Sequence, residues 1–116
     1  MNPQSEPDDM LVFASEDGAP AAVAAPWKIL VVDDEEEVHR VTRLALGNMI
    51  IHGRPLEIID AYSGRESVEI MREQEGIAII FMDVVMENDH AGLDAVQAIR
   101  HELGNKFVRI ILRTGQ

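Results

Sequence analysis

Four side chains define the chemistry open to this chain: Asp33, Asp34, Asp83 and Thr114. Asp33 and Asp34 follow the apolar run KILVV (28–32), Asp83 follows IAIIFM (77–82), and Thr114 follows FVRIILR (107–113). Runs this short and continuous read as strands covered on both faces. With those strands parallel and adjacent, three carboxylates and a hydroxyl meet at one rim, beyond the carboxyl ends where open α/β sheets bind ligands. Carboxylates that close repel unless one takes a proton or a cation lies between them. An all-oxygen donor set selects a hard ion, and few protein ligands with several waters suit Mg²⁺. Such a site can neutralise a phosphoryl group in transfer to a carboxylate, with aspartate as nucleophile, an acyl phosphate as product and Thr114 as hydroxyl donor.

Plainer readings stand beside this one. Asp34 with Glu37 fits a helix N-cap and its reciprocal glutamate, and Glu35 to Glu37 fit a solvated first turn that complements the helix dipole. Asp83 alone reads as a residue opening a loop. The weight lies in the coincidence of Asp33, Asp34, Asp83 and Thr114 at equivalent strand ends. His39, His52, His90 and His101 are scattered, and the expectation for all four is a place on the surface rather than in a zinc or phosphohistidine cluster.

The elements that must position the rim follow from periodicity. After the first strand, Val38, Val41, Ala45 and Met49 recur at helical spacing, ending before Gly53 and Pro55. LEIIDAY (56–62) suits a less buried strand. Ser63 and Glu66 form a capping box for a second helix, with Val68 and Met71 inward and a stop at Gly76. Leu93, Val96, Ile99 and Leu103 mark a third helix, closed by Gly104. Strands alternating with helices imply an α/β fold with a doubly wound parallel sheet.

At 116 residues and 47% apolar, the chain suits one globular domain. No run is apolar and long enough to span a bilayer, and no signal peptide is evident, which points to the cytoplasm. Cysteine is absent, so disulfides and thiolate metal sites are excluded. A net charge of −11 disfavours direct binding to nucleic acid or to anionic membranes. Residues 1–26 carry five acids and no base. They read as an acidic leader ending in the Ala/Pro linker GAPAAVAAP.

VVDDEEEV, IIFMDVVM and ILRTG together resemble the receiver domain of bacterial two-component response regulators, and AYSGRESVEIM resembles that family's second strand and helix. The resemblance covers about 28–116, within a receiver domain expected over 27–116. It implies a flavodoxin-like sheet and phosphorelay signalling, with Asp83 as phosphoacceptor for a histidine kinase. Asp33 and Asp34 match the acidic pair that holds Mg²⁺, and the Val85 backbone carbonyl matches a further metal ligand. Thr114 matches the switch hydroxyl, and Gly115 the small residue after it. ENDHAGLD and LGNKFVRIILRTGQ are similar to a subgroup of long regulators, in which a cyclic-di-GMP phosphodiesterase often forms the output domain.

The chain departs from the family in having Met86-Glu87 where Met-Pro is usual, and in a slightly longer stretch from Asp83 to Gly92. It also stops at Gln116, before the fifth strand of the family and its phosphate-binding lysine. The expectation is therefore an incomplete receiver. Its last strand, carrying Val108, Ile110 and Leu112, would form an open edge prone to self-association. Two other functions compete. An aspartyl phosphohydrolase would carry D-x-D, which Asp83-Val84-Val85 lacks. A non-phosphorylated, receiver-like interaction module would not need the acidic set.

Overall fold

The computed structural model describes residues 25–86 and 88–113. Its elements are β1 (Trp27–Val32), α1 (Glu36–Leu46), β2 (Ile50–Ile51), β3 (Arg54–Ala61), α2 (Gly64–Glu73), β4 (Ile77–Asp83), α3 (Ala91–Gln97) with a π-helical turn over Ala98–Glu102, and β5 (Arg109–Arg113). The five strands form one sheet in the order β2-β3-β1-β4-β5. β1 pairs in parallel with β3 and β4, and β4 with β5; only β2 runs antiparallel, against β3. The parallel strands β3-β1-β4-β5 follow the flavodoxin-like order 2-1-3-4, without a fifth parallel strand among the described residues and with the short β2 added at the margin.

The apolar run of β1 occupies the middle of the sheet, and Ile29, Leu30, Val31 and Val32 are all buried. Side chains alternate across the pleat. Leu30, Ile80 and Ile110 are neighbours in register and face α2 and α3, where Met71, Ala91, Ala95 and Ile99 complete the core. Val31, Phe81 and Ile111 form the matching row on the opposite side. Together with Val38, Val41 and Ala45 of α1 they line an apolar groove of about 500 Å³ that opens at Asp33 and Asp83. Val41 and Leu44 of α1 remain exposed.

Ser63 caps α2, its side-chain oxygen accepting from the Glu66 N–H. The Glu66 carboxylate reaches back one residue further than a standard capping box, accepting from the Tyr62 N–H at 2.7 Å.

Three expectations need correction. The first helix ends at Leu46, and Met49 lies outside it. Ile50 and Ile51 form a strand instead, because His52 and Gly53 both take positive φ (52° and 75°) and make a two-residue hairpin turn back to Arg54. Of the expected third-helix stripe, Ile99 is buried and Val96 and Leu103 pack against the core, but Leu93 is exposed and Ala91 and Ala95 complete the inward face instead. Small residues are needed on that face: a Cβ on Gly64 of α2 would lie 2.8 Å from the Ala91 carbonyl oxygen, so the two helices pack backbone against backbone. Finally, the last strand begins at Arg109, two residues later than the apolar run. Asn105 holds the approach to it, its side-chain oxygen accepting from the N–H groups of Phe107 and Val108.

The leader, apart from Ala25 and Pro26, lies outside the described residues. Among the described residues, no helix is long and apolar enough to cross a membrane.

Candidate functional site

β1, β4 and β5 are neighbours and run in the same direction, so their carboxyl ends share one rim. Asp33 is the first residue past β1, and its N–H still donates to the Ala61 carbonyl of β3. Asp83 is the last residue of β4 and is in register with Arg113, the last of β5. The Arg113 carbonyl in turn accepts from the Val84 N–H at 3.0 Å. Backbone pairing thus fixes the origins of all three side chains.

Asp33, Asp34 and Asp83 each offer a carboxylate oxygen, and these oxygens lie within 4.8 Å of one another. Asp33 and Asp83 are 2% and 8% exposed, while Asp34 is open to solvent. The Asp33 Oδ1 accepts from the Glu35 N–H at 2.9 Å, which closes the turn into α1. Glu35, not Asp34, therefore holds the N-cap position, and it makes no side-chain cap. Asp34 has no side-chain hydrogen bond among the described residues, which leaves its carboxylate available at the rim. The Asp83 Oδ1 accepts weakly from the Val85 N–H at 3.3 Å, so Val85 sits beside the same carboxylate. The all-oxygen set, with one solvated member, fits a hard divalent cation. Thr114 and Gly115 lie outside the described residues, as does Glu87.

Two residues at the site were not foreseen. Arg113 donates from Nη2 to the Asp33 Oδ2 at 2.7 Å and stands 3.6 Å from the Asp83 Oδ2. The Asp33 hydrogen bond, reinforced by the negative charges of Asp33 and Asp83, raises the arginine's pKa above its ordinary value. In the sequence its only signal is its place at the end of a strand, just before Thr114.

The second is His39, which is 2% exposed and so corrects the expectation of a surface position. Its Nε2 donates to the Asp33 carbonyl at 2.8 Å, and its Nδ1 faces the Asp60 Oδ1 at 2.7 Å. Arg43, one turn along α1, binds the other oxygen of Asp60 at 2.5 Å. Tyr62 lies across the imidazole, ring centroids 4.2 Å apart, and donates from its hydroxyl to Glu36. The i, i+4 spacing of His39 and Arg43 was the available clue. His52, His90 and His101 are exposed, as expected.

No family model matches the chain. The chain is 53% identical over 91 residues to the 3'3'-cGAMP-specific phosphodiesterase 2 of Vibrio cholerae. That match takes in 78% of this chain but spans only 17% of the length of that relative. Among solved structures, it is similar to the response regulator receiver protein from Pseudomonas putida, with 26% identity, a TM-score of 0.62, and coverage of 81% of this chain and 72% of that one. A chain of the CheX-CheY-BeF3-Mg+2 complex from Borrelia burgdorferi superposes with a TM-score of 0.56 at 23% identity, over 76% of this chain and 61% of that one, a likeness of fold.

Proposed function

We propose, from the premise that this chain carries the receiver domain of a two-component response regulator, that it accepts a phosphoryl group on Asp83 from a histidine kinase. The observation that carries this reading is the convergence of Asp33, Asp34 and Asp83 at one rim. Asp83 is the suited nucleophile because it ends β4 lining the groove, its carboxylate held, among the described residues, only by two long contacts, the Val85 N–H at 3.3 Å and Arg113 at 3.6 Å. One of its oxygens attacks the phosphorus. The bond from phosphorus to the donor's imidazole nitrogen breaks, the nitrogen keeping the electron pair, and Asp83 becomes an acyl phosphate.

Asp33, Asp34 and Asp83, with the Val85 carbonyl, would hold a magnesium ion, which when bound supplies positive charge against the clustered carboxylates and phosphoryl oxygens. Asp33 is held rigidly for this role by the Glu35 N–H on its side chain and by His39 on its carbonyl. Thr114 is proposed as the hydroxyl that turns toward the modified Asp83 and relays the change.

The domain itself is proposed to be a cytoplasmic switch rather than an enzyme. The 53%-identical relative is named for phosphodiesterase activity on 3'3'-cGAMP, which supports a cyclic-dinucleotide phosphodiesterase as the output controlled. This is broader than the cyclic-di-GMP output that the subgroup resemblance implied. The intact acidic set favours this reading over a non-phosphorylated interaction module.

The test is incubation of the full-length protein with Mg²⁺ and a small phosphodonor, followed by mass spectrometry of the peptide containing Asp83. Modification is expected in the wild type, with loss in Asp83→Asn and on chelation of the metal. A wild type that stays unmodified, or an Asp83→Asn variant that signals normally, would favour the interaction module.

A further inference from the structure

The acidic rim already has a positive charge of its own. Arg113 comes from the far end of the described chain, 80 residues from Asp33, yet it bridges both buried carboxylates. Each oxygen of Asp33 is engaged, Oδ1 by the Glu35 N–H and Oδ2 by the guanidinium. A divalent ion drawing on Asp33 and Asp83 would meet that guanidinium at the same oxygens, and like charges at such separations repel. We infer that Arg113 is the rim's built-in counter-ion, bound in competition with the metal, and that it sets how tightly the metal is held. This rests on the reading that the rim takes a divalent cation.

The local architecture suits an exchange. The arginine backbone is pinned, since its carbonyl accepts from Val84 and its strand pairs with β4. Its side chain is 55% exposed, so the guanidinium can leave for solvent while the strand stays in place. Both carboxylates are buried and only the arginine end of each pair is half exposed, so it is the guanidinium that can be displaced toward solvent. Asp34 does not pair with Arg113 and is the carboxylate left free for an arriving ion. Exchange also keeps part of the rim's negative charge compensated throughout, by the arginine before the metal arrives and by the metal afterwards. A purely structural salt bridge has a different signature: its loss would lower stability and leave metal affinity alone.

The experiment is calorimetric titration of the full-length protein with MgCl₂ at constant ionic strength, for the wild type, Arg113→Met and Arg113→Lys. Arg113→Met keeps an apolar stem and removes the charge, and is expected to bind Mg²⁺ about tenfold more tightly. Arg113→Lys keeps the charge and is expected within about threefold of the wild type. If Arg113→Met does not fold, Arg113→Gln is read in its place. A wild type that binds Mg²⁺ alongside a charge-free variant of equal or weaker affinity overturns this inference alone. Absence of binding in every variant overturns the metal reading as well. As an independent readout, the NMR signal of the Arg113 guanidinium should move on Mg²⁺ addition to the wild type; a signal that stays put during saturable binding also overturns the exchange.

Discussion

Gly92 sits directly behind the proposed phosphoacceptor, and Gly92→Ala tests how tightly the rim is built. A Cβ at this position would lie 2.2 Å from the Asp83 carbonyl oxygen, 2.7 Å from the Val84 Cα and 3.0 Å from the Asp83 carbonyl carbon. All three are backbone atoms, so no side chain can rotate away. Relief requires α3 and the end of β4 to separate by about 1 Å, an overpacking cost near the upper end of the usual 1–3 kcal/mol. The Gly92 N–H donates to the Val84 carbonyl at 2.9 Å, and weakening that bond adds up to about 1 kcal/mol. Alanine is the better helix former by about 1 kcal/mol, which offsets part of this. The net expectation is a loss of roughly 2–3 kcal/mol. Hydrogen exchange of the β1 and β4 amides in the full-length protein reads the local stability, and calorimetry reads Mg²⁺ affinity, which should fall because Asp83 is displaced. Leu93→Ala, at an exposed neighbouring position, is the control and should change stability by less than about 1 kcal/mol. A Gly92→Ala protein within about 0.5 kcal/mol of wild type, with unchanged metal binding, would refute the close approach of α3 to β4.

Other predictions follow from the core, the rim and the sheet margin. Leu30 is fully buried, so Leu30→Ala should cost about 2–5 kcal/mol by the same exchange measurement; a smaller loss would mean the core around β1 is looser than described. The Glu36 hydrogen bond raises the Tyr62 pKa, with some help from burial and from the charges of Glu36 and Asp60. The fold thus favours the neutral phenol. Its contribution to stability is present below the ordinary tyrosine pKa and lost as pH rises through the higher folded value. NMR titration of the Tyr62 ring should show the midpoint dropping in Glu36→Gln, and an unmoved midpoint would remove Glu36 as the cause. Polypeptide 1–116 on its own is expected to associate through the β5 margin, where Ile111 and Leu112 are exposed. Light scattering that gives the monomer mass at all concentrations would count against that.

Much of this architecture is legible in the residues. Four of the strands announce themselves as apolar runs, and the carboxylates stand out because charge follows those runs abruptly at Asp33 and Asp83. What escapes is whatever depends on a partner far along the chain. His39 is buried because Asp60, 21 residues away, and the Asp33 carbonyl receive its two nitrogens. Arg113 belongs to the rim only because the sheet sets β5 beside β4. On α3, Val96, Ile99 and Leu103 face the core as their spacing implies, but Ala91 and Ala95 escape notice because large apolar residues draw attention, while the close approach of two backbones selects glycine and alanine. The hairpin after α1 was hidden because two isoleucines continue a helical stripe as readily as they begin a strand, and Gly53 was the only hint of the turn.

That hairpin gives the sheet two unlike flanks. On one side, the edge is the two-residue β2, paired against Arg54 and Pro55 of β3. Trp27 locks the corner by donating its indole N–H to the Ile51 carbonyl, while the Arg54 guanidinium stacks 3.6 Å above the indole ring. Lateral addition of a further strand is blunted there by brevity and by a bulky aromatic clasp. The opposite flank, β5, is longer and exposes Ile111 and Leu112, which makes it the margin better suited to growth, in one chain or between two.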